Sequence, residues 1–196
     1  MTSSIDTTCT VWDITTKKAK TQLIAHDKEV YDVAWSRNKE IFATAGGDGS
    51  LRLFDLRALE HSTIMYEAPP GIPLVRLSWN RLNNYYVAAV AGDSQKAVII
   101  DVRMPSSPIT ELSGSTAGHL ASISTLAWAP HSASHLCTGG DDNQALIWDL
   151  GNLPRAVDDP ILAYTAEGEI NNVAWSISAP EWVCISFNSR VQLLKV

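Results

Sequence analysis

His119, Thr138 and Asp142 are the three side-chain types of a nucleophilic triad: an imidazole to take a proton, a hydroxyl to attack, a carboxylate to orient the ring. Such chemistry needs the hydroxyl on an exposed, strained turn, and no Gly-x-Ser-x-Gly elbow accompanies these residues. Their spacing points elsewhere. Asp142 stands six residues and Thr138 ten before Trp148, and Asp48 and Thr44 keep those offsets before Phe54, with His26 upstream as His119 is upstream of Trp148. A catalytic set has no reason to recur along a chain, whereas a structural one does. The recurring group is predicted to be a buried hydrogen-bond chain linking His, Asp, Thr and Trp. Phe54 has no indole N–H, so its chain is predicted to be shorter by one bond. Asp6 and Thr2 keep the offsets from Trp12, while the segment ending at Ile100 has neither residue.

Other reactive types are scattered. His131 and His135 are four apart, the spacing that joins two ligands on a helix, but Pro130 and the alternating context predict a turn and strand, and no third ligand is evident. No metal and no cofactor is expected. Gly114-Ser115-Thr116-Ala117-Gly118-His119 is glycine-rich without the Gly-Lys-Ser/Thr ending of a phosphate loop. Cys9, Cys137 and Cys184 are odd in number, far apart and outside any Cys-x-x-Cys, and read as reduced strand residues.

The elements that must position these groups announce themselves by repetition. A hydrophobic residue followed by Asp closes a segment at Trp12-Asp13, Phe54-Asp55, Ile100-Asp101 and Trp148-Asp149, with Leu194-Lys195 at the worn fifth position; the steps are 42, 46, 48 and 46 residues. A second marker keeps time with the first. Val33-Ala34-Trp35, Leu77-Ser78-Trp79, Leu126-Ala127-Trp128 and Val173-Ala174-Trp175 place their Trp 19, 21, 20 and 19 residues before those positions. Segments such as Ser50-Leu51-Arg52-Leu53-Phe54-Asp55 alternate apolar and polar residues, as half-buried strands do. Gly46-Gly47-Asp48-Gly49 and Gly139-Gly140-Asp141-Asp142 supply tight turns, and no long stretch has helical period.

A period in the forties with a Trp-Asp ending matches the WD repeat, a four-stranded blade of a β-propeller. The predicted fold is all-β: residues 1–196 form an open arc of about four blades plus a partial one, with repeats ending near 13, 55, 101, 149 and 195. Thr2 falls in the register of a second strand and Val196 follows a third. The expectation is therefore that the chain is the C-terminal part of a seven-bladed ring.

Composition narrows the function. Fifteen Lys and Arg against 21 Asp and Glu give a net charge of −6, which argues against direct nucleic-acid binding and against a membrane surface. No secretory signal is read at the start, and no apolar run approaches the roughly 20 residues of a bilayer span.

Several stretches resemble one WD family more closely. They include Ser3-Ser4-Ile5-Asp6-Thr7-Thr8-Cys9-Thr10, Thr21-Gln22-Leu23-Ile24-Ala25-His26-Asp27-Lys28-Glu29-Val30 and Leu59-Glu60-His61-Ser62-Thr63-Ile64. Gln144-Ala145-Leu146-Ile147-Trp148-Asp149 and the run from Asp159 to Asn172 belong with them. These are similar to the plant transparent-testa-glabra and anthocyanin-regulator proteins and their animal counterpart. The resemblance implies a non-catalytic scaffold of cytoplasm and nucleus with no small-molecule substrate. Its implied partners are proteins: transcription factors of the basic helix-loop-helix and MYB types, DYRK-type protein kinases, and a cullin–RING ligase adaptor.

WD propellers resemble one another in meeting partners through one face. Register places there Glu29 and Tyr31, Pro73 and Val75, Ser122 and Ser124, and Glu169 and Asn171, together with Gly47, Asp93, Asp141 and Phe187. Tyr31 and Phe187 are the expected aromatic anchors, and Glu29 and Glu169 the expected charge selectors for basic segments. Asp55-Leu56-Arg57 and Asp101-Val102-Arg103 resemble the WDxR box that docks WD receptors on a cullin–RING adaptor, where the planar fork of Arg suits carbonyl and carboxylate oxygens. Arg57 is the favoured member because its repeat keeps more of the pattern.

Overall fold

The computed structural model describes residues 1–114 and 116–196; Ser115, within the glycine-rich stretch, lies outside the described residues. The fold is all-β, as the repeat requires. Each apolar–polar alternation becomes one strand of an antiparallel sheet, and consecutive strands pair in order.

The first sheet holds β1 (Thr2–Ser3), β2 (Thr8–Asp13) and β3 (Lys18–Ile24). The second holds β4 (Val30–Trp35), β5 (Ile41–Gly46), β6 (Ser50–Asp55) and β7 (Ser62–Glu67). The third has β8 (Leu74–Trp79), β9 (Tyr86–Ala91), β10 (Ala97–Asp101) and β11 (Thr110–Leu112). The fourth has β12 (Ile123–Trp128), β13 (His135–Gly140), β14 (Gln144–Asp149) and β15 (Leu162–Thr165). The fifth has β16 (Ile170–Trp175), β17 (Trp182–Phe187) and β18 (Arg190–Lys195). Where the spacing counts four blades and a part, the strands of the described residues thus divide into three sheets of four and two of three. Register relates them: Thr2 faces Thr10 as Thr44 faces Arg52 and Thr138 faces Leu146, so β1 occupies the place of β5 and β13.

The core lies between successive sheets and not within any one of them. Phe42 and Phe54 pack with Cys9 and Val30 between the first and second sheets, and Leu51, Leu74, Val87 and Ile100 between the second and third. Ile99, Leu112, Leu136 and Trp148 continue the series, and Cys137, Ile147, Ile170 and Ile185 complete it. Because both faces of an interior sheet are covered, β10 reads Ala-Val-Ile-Ile-Asp with every residue buried.

The innermost strands are stitched to one another. Trp128 Nε1 donates to the Ser78 carbonyl and Trp175 Nε1 to the Ala127 carbonyl, both at 3.0 Å. Side chains add individual links: Asp32 accepts from Leu77 N at 2.9 Å, Arg76 Nε donates to Ser124 O at 3.1 Å, and Thr125 Oγ1 donates to Asn172 Oδ1 at 3.2 Å. Burial pushes the Asp32 carboxyl above its ordinary range, against the opposing hydrogen bonds from Leu77 and Val33.

Candidate functional site

The triad-like residues are walled in. Trp148 Nε1 donates to Thr138 Oγ1 at 2.9 Å, the same hydroxyl lies 2.8 Å from His119 Nε2, and His119 Nδ1 lies 3.0 Å from both Asp142 carboxylate oxygens. Asp142 also accepts the N–H of Leu120 at 2.8 Å and of Gln144 at 3.1 Å, which fixes the loop before β12 and the turn before β14. One direction of donation satisfies every group: indole to hydroxyl, hydroxyl to Nε2 of a neutral imidazole, Nδ1–H to carboxylate. Thr138 and Trp148 are wholly buried and His119 is 3% exposed, so the hydroxyl cannot reach a substrate. Burial pushes the His119 imidazole below its ordinary pKa although Asp142 pulls the other way.

The sheet closed by Phe54 repeats the arrangement with one correction. His26 Nε2 lies 2.7 Å from Thr44 Oγ1 and His26 Nδ1 lies 2.9 Å from Asp48 Oδ1, and Phe54 supplies no donor. The network is nevertheless not shorter overall. Ser50 Oγ donates to Asp48 at 2.8 Å, and Arg52 donates to Ser50 at 2.9 Å, to Asp48 at 2.8 Å and to Asp27 at 2.7 Å. Burial would raise the Asp48 carboxyl, but hydrogen bonds from Ser50 and then His26 hold it down at about 2. Trp12 Nε1 donates to Thr2 Oγ1 at 3.0 Å in the first sheet, where the Asp6 carboxylate accepts from the Thr8 N–H and hydroxyl at 3.1 and 2.6 Å and meets no histidine among the described residues.

The face at the start of the inner strands has a built-in irregularity. In β4, β8, β12 and β16 the pairing register shifts around Tyr31, Val75, Ser124 and Asn171 respectively. A bulge of this kind re-aims the side chain it carries. Tyr31 is 43% exposed and its ring, with the Glu29 carboxylate, closes over Gly47. Asp93, Asp141, Glu169 and Asn171 are exposed, and Ser122 is half-buried. Backbone bonds from Gly47 to Glu29, Gly92 to Pro73 and Asp141 to Ser122, at 2.7, 2.8 and 2.9 Å, join the two loop sets.

That pairing corrects two positions. Phe187 is 2% exposed and packs with Ile170, Val173 and Ile185, so it is a core residue and not an exposed anchor. The β17–β18 turn is tight, with Phe187 opposite Arg190, and Phe187 faces Ile170 as Gly46 faces Val30; the loop position beside Glu169 therefore passes to Asn188. In the third sheet the residue bonded to Pro73 is Gly92, and Asp93 is displaced one place along, at φ 54°.

The opposite face carries the Asp-x-Arg pairs. Arg57 Nε and Nη2 grip Asp55 at 2.9 and 2.5 Å, and Arg103 repeats the grip on Asp101 at 2.9 and 2.6 Å. Each Arg also donates its backbone N–H to the same carboxylate at 2.9 Å. The Arg57 hydrogen bond holds the Asp55 carboxyl at about 2, and Arg103 likewise lowers Asp101. Both guanidinium groups are thereby held in one pose, with Nη1 outside the grip on the carboxylate. Arg57 Nη1 meets Glu40 at 3.2 Å, whereas Arg103 stacks 4.0 Å over the Tyr85 ring and makes no second ion pair among the described residues. Geometry thus leaves Arg103 the freer of the two.

Two segments, residues 17–55 and 107–149, match the family described as WD domain, G-beta repeat. Both end on the third strand of a four-stranded sheet. These two segments are WD repeats. The chain is 54% identical over its whole length to the DDB1- and CUL4-associated factor 7 homolog of Dictyostelium discoideum, covering 59% of that protein. It is 33% identical to an uncharacterized WD repeat-containing protein of Schizosaccharomyces pombe, over 99% of this chain and 57% of the relative. A WD repeat-containing protein of Saccharomyces cerevisiae is 43% identical over 76% of this chain and 32% of its own length. The chain therefore spans about three fifths or less of these relatives. The enclosed hydroxyl of Thr138, inside the second matched segment, fits a structural part in such a repeat and not that of a nucleophile.

Sequence reading missed the parts played by four residues. Arg52 extends the His26 network from a position where the repeat at Trp148 has Leu146, so periodicity carries no trace of it. Asp32 links two sheets from a strand interior. Gly46 and Gly140, read only as turn residues, leave room for the histidine rings: a Cβ would lie 2.5 Å from His26 Nδ1 or 2.9 Å from His119 Nδ1.

Proposed function

We propose that the chain is part of a non-catalytic protein-interaction scaffold that docks on a cullin–RING ligase adaptor through its Asp-x-Arg pairs, acting in cytoplasm and nucleus. The observation that carries this reading is the doubled pose of Arg57 on Asp55 and Arg103 on Asp101 on one face. Preorganised guanidinium groups lose little freedom on binding, and their outer N–H groups suit carbonyl or carboxylate oxygens of a partner. The name of the Dictyostelium relative, which associates that protein with DDB1 and CUL4, supports the same assignment.

The bulged face gives a second reading, favoured by the exposed ring of Tyr31 beside Glu29: capture of a basic segment from a transcription factor or protein kinase, the partners implied by the plant regulator resemblance. The two readings part in one experiment. Full-length protein carrying Arg57→Ala and Arg103→Ala is compared with a Tyr31→Ala, Glu29→Gln variant in pull-downs from cells. The arginine variant should lose DDB1 and keep other partners, and the tyrosine variant should do the reverse. Undiminished DDB1 recovery with both arginines removed would sink the docking assignment.

A further inference from the structure

At the centre of the face that carries Arg57 and Arg103, a groove of about 660 Å³ runs between the second and third sheets. Its lining is Trp35, Ser36, Arg37, Lys39, Arg81 and Leu82, with three cations and no acid. The walls follow from local chemistry. Asn80 Oδ1 accepts the N–H groups of Leu82 and Asn83 at 2.9 and 2.8 Å, folding the turn that holds Arg81 and Leu82 outward. Asn80 Nδ2 ties that turn to the fourth sheet at the Ala133 carbonyl, 2.8 Å away. Asn84 Oδ1 accepts the N–H of Arg37 at 2.9 Å while its carbonyl accepts from Trp79 Nε1 at 3.0 Å, so one residue fastens both walls.

The cations are available. Arg52, Arg57, Arg103 and Arg190 each pair with a carboxylate, yet among the described residues Arg37, Lys39 and Arg81 enter no ion pair. Glu40, the acid next in sequence to Lys39, is turned onto Arg57. Apolar surface lies beside them: Leu82 is 45% exposed, and past Arg81 the groove continues into a hollow lined by Trp79, Trp128, Pro130 and Ile177, the last 77% exposed. In a chain of net charge −6 this is a local reversal of sign.

We propose that this groove docks an extended acidic peptide segment whose large apolar side chain settles between Trp35 and Leu82 while its carboxylates meet Arg37, Lys39 and Arg81. Guanidinium forks bind carboxylates in two directions, and an exposed aliphatic side chain beside an indole supplies the apolar contact that charge alone lacks. A nucleic-acid backbone is the poorer fit, because it calls for a longer track of cations than three.

The test uses the full chain and a fluorescein-labelled peptide of glutamates flanking a Leu-Phe pair, read by fluorescence anisotropy. Binding should be saturable and should weaken as salt rises. Arg37→Glu with Arg81→Glu should weaken it at least about tenfold, Leu82→Ser should weaken it less, and Arg103→Ala, which leaves the Arg57–Glu40 pair in place, should leave it unchanged. A peptide with lysines replacing the glutamates should not bind. Arg37, Arg81, Leu82 and Arg103 are all solvent-facing, and an unchanged melting temperature in each variant confirms that a loss is local. Retained affinity in the double glutamate variant overturns the proposal. So does equal binding of the lysine peptide, or displacement of the acidic peptide by a lower concentration of single-stranded oligodeoxynucleotide. Loss of binding in the arginine-to-alanine control would move the site to the Asp-x-Arg pairs.

Discussion

Asp32 reaches across the gap between two sheets to accept the backbone N–H of Leu77 at 2.9 Å. The bond is unusual in that a side chain of one inner strand supplies what the next strand's own ladder does not. Removing it leaves a part-buried amide without an acceptor, which costs about 1–3 kcal/mol. Asp32→Ala should therefore lower the urea midpoint by a corresponding amount, while Asp32→Asn, which keeps a carbonyl oxygen there, should cost less. Equal effects of the two substitutions would show that Leu77 is not the reason Asp32 matters.

Gly46 and Gly140 face the same test of space. Adding a methyl group at either forces the adjoining imidazole to move, since the rings begin 2.5 and 2.9 Å from the new carbon. Gly46→Ala should be the costlier, because its three nearest atoms all belong to the His26 ring. Each should cost about 1–3 kcal/mol in equilibrium unfolding. Gly71, whose added Cβ would meet nothing within 4 Å, is the control for space alone, though its φ of 84° brings backbone strain of its own.

Stability should fall on mild acidification. Burial holds His26 and His119 below the ordinary 6.5, so between that value and their folded pKa the unfolded chain binds more protons than the folded one. Stability is thus fully present above 6.5 and is lost as pH drops. Hydrogen-bond direction adds to the burial cost: a protonated imidazole can no longer accept at Nε2, so the Thr138 O–H, whose oxygen already accepts from Trp148, loses its acceptor. Unfolding curves at about pH 7.5 and about pH 5.5 measure the slope, and His119→Gln should flatten it. A second loss follows near pH 3, as Asp48, held at about 2 against an ordinary 3.8, begins to protonate.

Thiol labelling should separate the cysteines. Cys9 and Cys137 are buried, and burial pushes both thiols up to about 12, leaving almost no thiolate at neutral pH. Cys184 is only half-buried. Iodoacetamide should modify Cys184 first in the folded protein, and the other two only as it unfolds. Prompt alkylation of Cys137 would contradict the packing between the fourth and fifth sheets.

Periodicity made the strands, their order and the polar network at Trp148 legible, because each depends on residue type at a fixed offset. It could not reveal Arg52, which joins the network at a site where the other copy is apolar. It misplaced Phe187 and Asp93 for a related reason. Offsets counted from the closing position assume turns of equal length, and the β17–β18 turn is shorter while the β9–β10 turn shifts by one. The basic groove was illegible for a different reason, since Arg37 and Arg81 are 44 residues apart and become neighbours only when two sheets pack.

The indole stitches carry one last implication. Trp128 and Trp175 both bond to the carbonyl immediately before the preceding sheet's own tryptophan, Ser78 ahead of Trp79 and Ala127 ahead of Trp128. Since that acceptor is backbone, the stitch does not read which repeat stands in the preceding place, and it is optional: Trp79 turns its indole to the Asn84 carbonyl of its own sheet. What tells one neighbour from another is the set of side-chain links, Asp32 to Leu77, Arg76 to Ser124 and Thr125 to Asn172, each chemically different. The indole stitches would accept any neighbour, and those three pairs write its address.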